Sequence, residues 1–239
     1  MSVTEDRTAG NRRTRTATGG RSPLLARAAA SLVLIVYAAG LSVNAWLERR
    51  IGLQGESSME DMVLFMGFGM FAVVGALLVA KRPDNRVGWI MSAAALIVGV
   101  FPVSETYAAY VMTTSGRPDA LAVLGAWANG WYWILLLALV FIYLPLLFPD
   151  GRLLSRRWFP IAVLPAIGIA GVMVLGSLAE TFSGQTFDYR IQNPIGIEGL
   201  ANIEELPVFI VFSGIYAVGA VGAIASLAVR FRRSRGTER

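Results

Sequence analysis

Six uncharged apolar stretches, separated by short polar gaps, run along this 239-residue chain. A helix that rises ~1.5 Å per residue needs about 20 residues to cross the ~30 Å hydrocarbon core of a bilayer. The fourth stretch, 120–148, is longer than one crossing, and its first residues are expected at the interface. The predicted spans are 28–47, 62–80, 87–104, 130–148, 158–179 and 206–229. The chain is therefore predicted to be an all-α integral membrane protein, a bundle of six transmembrane helices.

Basic residues occupy alternate gaps between these stretches. Four lie on one side, namely Arg49, Arg50, Arg117 and Arg190, and the other 17 of the 21 Lys and Arg residues lie on the opposite side. The positive-inside rule places the basic side in the cytoplasm, so both termini are predicted to be cytoplasmic in a bacterial plasma membrane. The predicted organisation is a disordered basic tail (1–22), a membrane domain (23–229) and a second basic tail (230–239).

The residue inventory restricts the chemistry of the chain. It contains no Cys and no His, which removes thiolate nucleophiles, disulfides and the commonest general base and metal ligand. The central part of every predicted span also lacks an acidic residue. No catalytic, cofactor-binding or metal-ligating residue is predicted, and the chain is not expected to be an enzyme. Nucleic acid is not an expected partner, because the basic residues lie at helix ends, where anionic lipid headgroups are found.

Polar and aromatic residues gather near the outer ends of spans three and four. Glu105 follows the third span, and a solvated helix-end carboxylate is the favoured interpretation, with a ligand-facing or ion-sensing group as the alternative. Trp127, Trp131, Tyr132 and Trp133 open the fourth span. An interfacial aromatic belt is the favoured interpretation of these four, and a recognition pocket is the alternative.

The longest gap, 180–205, is predicted to lie outside. Residues typical of turns alternate in this gap with apolar residues whose side chains can pack, namely Phe182, Phe187, Tyr189, Ile191 and Ile195. A solvated acidic rim is favoured for Glu198, Glu204 and Glu205, with attraction of a cation or a basic ligand as the alternative.

Small residues recur four apart in the last span. The pairs are Gly219 with Ala223 and Gly222 with Ser226. Such pairs permit close helix packing, either within the bundle or between the protomers of a homodimer.

Two inner gaps share a pattern. Pro83-Asp84-Asn85-Arg86 and Pro149-Asp150-Gly151-Arg152 are both strong turn sequences, and each is followed by a tryptophan. Independent use of the same turn chemistry is the favoured explanation, and a diverged internal duplication is the alternative.

Several of these segments resemble the multi-pass membrane region of actinomycete-type sensor histidine kinases. They are RPDNRVGWIM (Arg82–Met91), LFPDGRLLSRRWFP (Leu147–Pro160), NPIG (Asn193–Gly196) and RFRRSRGTER (Arg230–Arg239). In that family the membrane region receives a signal and passes it to cytoplasmic dimerisation and ATP-binding domains. This chain ends where that continuation begins in the family, and it lacks the phosphoacceptor histidine and the glycine-rich ATP-binding motifs.

The resemblance implies a signal-sensing or accessory membrane module without kinase activity of its own. Its expected partners are the lipid bilayer and either a second copy of the chain or a separate cytoplasmic kinase or signalling protein. The alternative is a small membrane transporter or permease component, which predicts polar residues near the membrane midplane. The spans offer Asn44, Asn129 and scattered Ser and Tyr for that role.

Overall fold

The computed structural model describes residues 23–52, 59–184, 186–200 and 206–235. These ranges contain seven α-helices, a single 3₁₀ turn and one β-hairpin. The helices are α1 (Pro23–Arg50), α2 (Met59–Lys81), α3 (Arg86–Ser115), α4 (Ala120–Asn129), α5 (Tyr132–Leu147), α6 (Phe159–Ser177) and α7 (Pro207–Arg235). The 3₁₀ turn is Arg156–Trp158, and the hairpin consists of β1 (Thr181–Ser183) and β2 (Arg190–Gln192).

Local capping explains where α3 begins and ends. The side chain of Asn85 accepts a hydrogen bond from the Val87 N–H, which satisfies one of the free donors of the first turn. The helix ends at Gly116, which is left-handed at φ = 66° and donates its N–H to the Met112 carbonyl. The helix is therefore longer than the predicted span 87–104.

The fourth apolar stretch is divided into two helices. α4 and α5 meet at Gly130–Trp131 with a bend of 47°, and α5 contains a π-helical segment at Ala138–Tyr143. The sequence predicts an interfacial position for the first residues of this stretch, and the structure shows that they form a separate helix. By length and composition, the described residues form five helices able to cross a membrane, or six if the bent pair is one span.

α1, α2 and α7 expose many large apolar side chains, whereas α3 is the most buried of the long helices. In the most apolar 18-residue segment of α7 only 11% of the residues are buried, and in the corresponding segment of α2 only 22% are buried. Exposed apolar surface on this scale is unfavourable in water and favourable in hydrocarbon. The architecture is that of a predominantly helical membrane protein.

The helices pack in two groups that share α3. Val33 and Tyr37 of α1 meet Ala72 of α2 and Ala95 and Val98 of α3 in one buried cluster. A second cluster joins α5, α6 and α7, and its fully or almost fully buried members include Ala138, Ile142, Leu146 and Ala223. α3 also contacts α4 and α5, so it connects the two groups.

The small residues of α7 pack against α6. A Cβ atom at Gly219 would lie 2.1 Å from Cγ of Pro165, and one at Gly222 would lie 2.5 Å from Cγ2 of Ile161. Ala223 and Ser226 are fully buried. Of the two interpretations of these pairs, packing within the chain is the one that the structure contains.

Contacts bring both ends of the described chain to the same end of the bundle. Leu25 of α1 lines a groove together with Pro83. The turn that contains Pro83 contacts the turn that contains Gly151. That second turn accepts a hydrogen bond from Arg230 of α7. We call this end the inner end and the opposite end the outer end, after the sides predicted from charge.

The predicted tails are described only in part. Residues 1–22 and 236–239 lie outside the described residues. α7 continues as a helix beyond the predicted limit of the last span and reaches Arg235.

Candidate functional site: the outer hairpin and the inner junction

The outer hairpin, residues Thr181–Gln192, packs onto the outer ends of α3 and α4. Phe182 pairs with Ile191 across the two antiparallel strands. Both side chains and that of Tyr189 are buried against alanines of α3 and α4, while Phe187 is half-buried. The predicted packing of this segment is confirmed for these residues, and it is wrong for Ile195, whose side chain is 69% exposed.

Asn193 fixes the base of the outer hairpin. Its Nδ2 donates hydrogen bonds to the carbonyls of Ser177 (2.9 Å) and Ala179 (2.6 Å) at the end of α6. Its Oδ1 accepts a hydrogen bond from the Ile195 N–H at 3.1 Å. The sequence marks Asn193 as a turn residue, but the sequence does not show that its side chain satisfies carbonyls left free at a helix end.

Glu105 is the acidic residue that ties the hairpin to α3. Its side chain is only 4% exposed, and the Thr186 N–H donates to its Oε1 at 2.6 Å. The Thr186 hydroxyl lies 3.4 Å from Oε2. The favoured prediction of a solvated helix-end carboxylate is wrong, because α3 continues to Ser115 and the hairpin covers the carboxylate. A buried carboxylate requires such donors, since its desolvation is costly.

Tyr189 lies within electrostatic range of Glu105. Burial raises the pKa of the Tyr189 hydroxyl, and the negative charge of Glu105 raises this pKa further. The hydroxyl is buried and has no hydrogen-bond partner among the described residues. An unsatisfied buried donor is unfavourable by about 1–3 kcal/mol. The contact between the hairpin and α3 therefore includes one strong hydrogen bond and one polar group that packing leaves unsatisfied.

A polar connection continues from α3 to α1 beside Glu105. The hydroxyl of Thr106 donates to Oδ1 of Asn44 at 2.7 Å, and Nδ2 of Asn44 donates to Oε1 of Glu48 at 2.7 Å. Asn44 and Thr106 are both buried. Asn44 therefore links two helices through its polar atoms.

Three of the four outer aromatic residues belong to a packed cluster. Phe101 of α3 stacks on Tyr132 with ring centroids 5.1 Å apart, and it meets the edge of Trp131 at 5.8 Å. Trp127 contacts Trp131 and donates its indole N–H to the Ser177 hydroxyl at 2.7 Å. Trp133 is 43% exposed, so it alone of the four has the exposure expected of an interfacial belt.

The inner junction consists of the two inner turns, Arg82–Asn85 and Pro149–Arg152, together with Arg230. Nδ2 of Asn85 donates to the Pro149 carbonyl at 3.4 Å. Gly151 is buried and left-handed at φ = 71°, and a Cβ atom there would lie 2.7 Å from the Arg86 nitrogen and 2.8 Å from Oδ1 of Asn85. The two similar turn sequences therefore lie in direct contact, which their separation in sequence does not predict.

Arg230 joins α7 to this contact. Its Nη2 donates to the carbonyls of Leu146 (2.9 Å) and Arg152 (2.7 Å). Carbonyls at the end of a helix lack helical partners, and a positive charge there is favoured by the helix dipole. Nε of Arg230 is buried and finds no acceptor within the described part of the chain. The side chain of Arg230 thus connects the last helix to the second inner turn.

The predicted acidic rim can be followed only in part. Glu198 is exposed, whereas Glu204 and Glu205 lie outside the described residues. Within the described ranges, no three His, Cys, Asp or Glu residues are grouped so that they could hold a metal ion.

Comparisons with protein-family models, with curated proteins and with solved structures gave no match.

Proposed function

We propose that the chain is a six-span membrane module that senses a signal or assists a signalling protein, with both termini in the bacterial cytoplasm. It has no kinase activity of its own. Its partners are the surrounding bilayer and either a second copy of the chain or a separate cytoplasmic kinase or signalling protein. This proposal depends on the charge distribution and on the resemblance to sensor-kinase membrane regions.

The proposed mechanism is a shift between two packing arrangements of the helices. A ligand at the outer hairpin, or a change in the bilayer, alters the contact between the hairpin and α3 at Glu105. α3 spans the bundle from that contact to Arg86, beside the first inner turn. The first turn contacts the second through Asn85 and Gly151, and the second binds Arg230.

Among the structural observations, the hydrogen bonds of Arg230 are the one that carries the proposed mechanism. α7 ends in a run of arginines and leads toward the C-terminus. A helix that leaves the bundle can transmit a change in packing only if it is attached to the parts that move. Arg230 provides that attachment, because it binds the Leu146 carbonyl near the end of α5 and the Arg152 carbonyl of the second inner turn.

The test fuses a dimeric histidine-kinase core after Arg239 of the full chain and measures autophosphorylation in nanodiscs of different lipid thickness. Glu105→Gln perturbs the outer contact, and Arg230→Gln perturbs the inner one. If the two ends are coupled, we expect each variant to change the phosphorylation rate or its dependence on thickness. We also expect Glu105→Gln to lose most of its effect in the Arg230→Gln background.

Arg157→Gln is the matched control, because Arg157 is an exposed arginine of the same inner end. It removes one charge without touching the junction, and we expect the rate to stay at the wild-type value. Strictly additive effects of Glu105→Gln and Arg230→Gln, or a rate that never depends on lipid or on Glu105, would contradict the proposed route.

A small transporter is the second candidate function, and the broken fourth stretch favours it. Discontinuous helices near polar residues are typical of transporter binding sites. Here the 47° bend adjoins Asn129, whose side chain is fully buried. The test is solute flux into proteoliposomes across a panel of ions and amino acids, with Asn129→Ala as the variant. Flux above that of empty liposomes, abolished by Asn129→Ala, would favour the transporter over the signalling module.

A further inference from the structure

A groove opens at the inner end between α1 and the first inner turn. It has a volume of about 830 Å³ and is lined by Leu25, Ala26, Ala29, Pro83, Asp84, Arg86 and Trp89. The three α1 residues form an apolar wall, while Arg86 and Asp84 are exposed on the opposite side. The groove shares Pro83 and Asp84 with the inner junction but lies on the side of the first inner turn that faces α1, and neither Gly151 nor Arg230 lines it.

The charges around the groove favour an anion. Lys81, Arg82 and Arg86 are exposed on or beside the first inner turn, and Asp84 is the acidic residue of that turn. The local balance is two positive charges. Arginine is suited to phosphate, because its planar guanidinium can donate two parallel hydrogen bonds.

The apolar wall and the indole favour a lipid over a free anion. Trp89 lies in the first turn of α3, and its indole N–H donates to the Pro83 carbonyl at 2.8 Å, which holds the ring against the first inner turn. Tryptophan at a helix end is typical of the headgroup level of a bilayer. A phosphate beside Arg86 would thus lie next to apolar surface that can contact acyl chains, whereas a soluble phosphate would gain nothing from that surface.

We infer that this groove is a binding site for the headgroup of an anionic phospholipid of the inner leaflet. The headgroup phosphate lies against the Arg86 guanidinium, and the first acyl carbons lie along Leu25 and Ala29. The inference concerns the bound lipid alone and does not depend on whether the protein transmits a signal.

The experiment titrates the purified full chain in detergent with phosphatidylglycerol and follows binding by native mass spectrometry. Phosphatidylcholine of the same chain length tests the role of the charge, and inorganic phosphate tests whether the headgroup alone suffices. We expect saturable binding of phosphatidylglycerol that is tighter than that of phosphatidylcholine and is not displaced by millimolar phosphate.

Three variants localise the site. Arg86→Gln should weaken phosphatidylglycerol binding about fivefold, the contribution expected of one basic residue near an anionic surface. Asp84→Asn removes the repulsive carboxylate and should strengthen binding, an effect that misfolding would not produce. Arg157→Gln, the exposed arginine outside the groove, should leave the affinity unchanged.

Equal effects of Arg86→Gln and Arg157→Gln would overturn the inference, because they would indicate general attraction to a basic surface. Equal affinity for the two lipids would overturn it as well. Displacement of phosphatidylglycerol by inorganic phosphate would assign the groove to a soluble anion instead. A loss of binding in Asp84→Asn would likewise contradict the role given to charge.

Discussion

Gly151 offers the sharpest test of the inner junction. Its backbone is left-handed at φ = 71°, a conformation that is unfavourable by ~1–2 kcal/mol for a residue with a Cβ atom. The new methyl group of Gly151→Ala would also lie 2.7 Å from the Arg86 nitrogen and 2.8 Å from Oδ1 of Asn85. The Arg86 nitrogen is a backbone atom, and Oδ1 of Asn85 is held in place by the hydrogen bond that it accepts from the Val87 N–H, so the two turns must separate.

The magnitude follows from these two contributions. Overpacking of a close contact costs ~1–3 kcal/mol. Together with the ~1–2 kcal/mol for the left-handed backbone, this overpacking predicts that Gly151→Ala lowers the free energy of unfolding by about 2–5 kcal/mol. Gly116 is the matched control, because it is left-handed at φ = 66° and its added Cβ would meet no other segment of the described chain within 4 Å. Gly116→Ala should therefore show only the backbone term, ~1–2 kcal/mol.

The assay is unfolding of each variant in mixed micelles by added SDS, followed by far-UV circular dichroism. A distance measurement accompanies it: the native chain has no cysteine, so Ser155→Cys and Arg232→Cys place two spin labels at the inner end without background labelling. Gly151→Ala should lengthen or broaden that distance, and Gly116→Ala should not. Equal destabilisation by both variants, with an unchanged distance, would refute the contact between the turns.

Three further predictions concern the outer end and the topology. Glu105→Ala leaves the Thr186 N–H without its acceptor and should speed hydrogen exchange in the outer hairpin at least about 10-fold. Glu198→Ala, at an exposed site, should not change the exchange rate. An unchanged rate in Glu105→Ala would contradict the anchoring role of Glu105. The hydroxyl of Tyr107 and the Ala122 N–H lower the pKa of Asp119, so its cap on α4 is complete above the ordinary pKa of about 3.9 and is lost as pH falls through the lowered value. The protection of the first amides of α4 against hydrogen exchange, taken relative to the intrinsic exchange rate at each pH, should fall in that acid range in the native chain and show no such step in Asp119→Asn. Reporter tags on the two termini should report the same compartment, and opposite compartments would exclude an even number of crossings.

The sequence predicts the helices well because their determinants are local. An uncharged run of twenty residues must satisfy its backbone internally in hydrocarbon, and helix is the way for a single segment to do so. α3 begins after Asn85 and ends at Gly116 for local reasons, because the Asn85 side chain caps the first turn and Gly116 accepts a left-handed conformation. The length of 120–148 predicts that the stretch extends beyond one crossing, but the sequence does not predict the bend at Gly130–Trp131.

The candidate site depends on contacts between distant segments, and the sequence does not encode these in any local pattern. Glu105 lies one residue beyond the predicted third span, and only the hairpin 81 residues later makes it a buried residue. Asn193 has the sequence signature of a turn, and its carbonyl partners belong to another element. Similarly, nothing local in Pro149–Arg152 indicates that this turn lies against Asn85.

By itself the sequence determined the helical membrane character and the approximate positions of the long helices, but not the outer end of α3, which lies at Ser115. The positions follow from the sequence because hydrophobic length acts on each segment separately. Only the tertiary structure decided that the small residues of α7 face α6, that Glu105 is covered, and that Arg230 binds the second inner turn. These outcomes depend on which helices become neighbours and at what rotation. That arrangement is the sum of many weak packing contacts between helices, so the sequence of a single segment does not determine it.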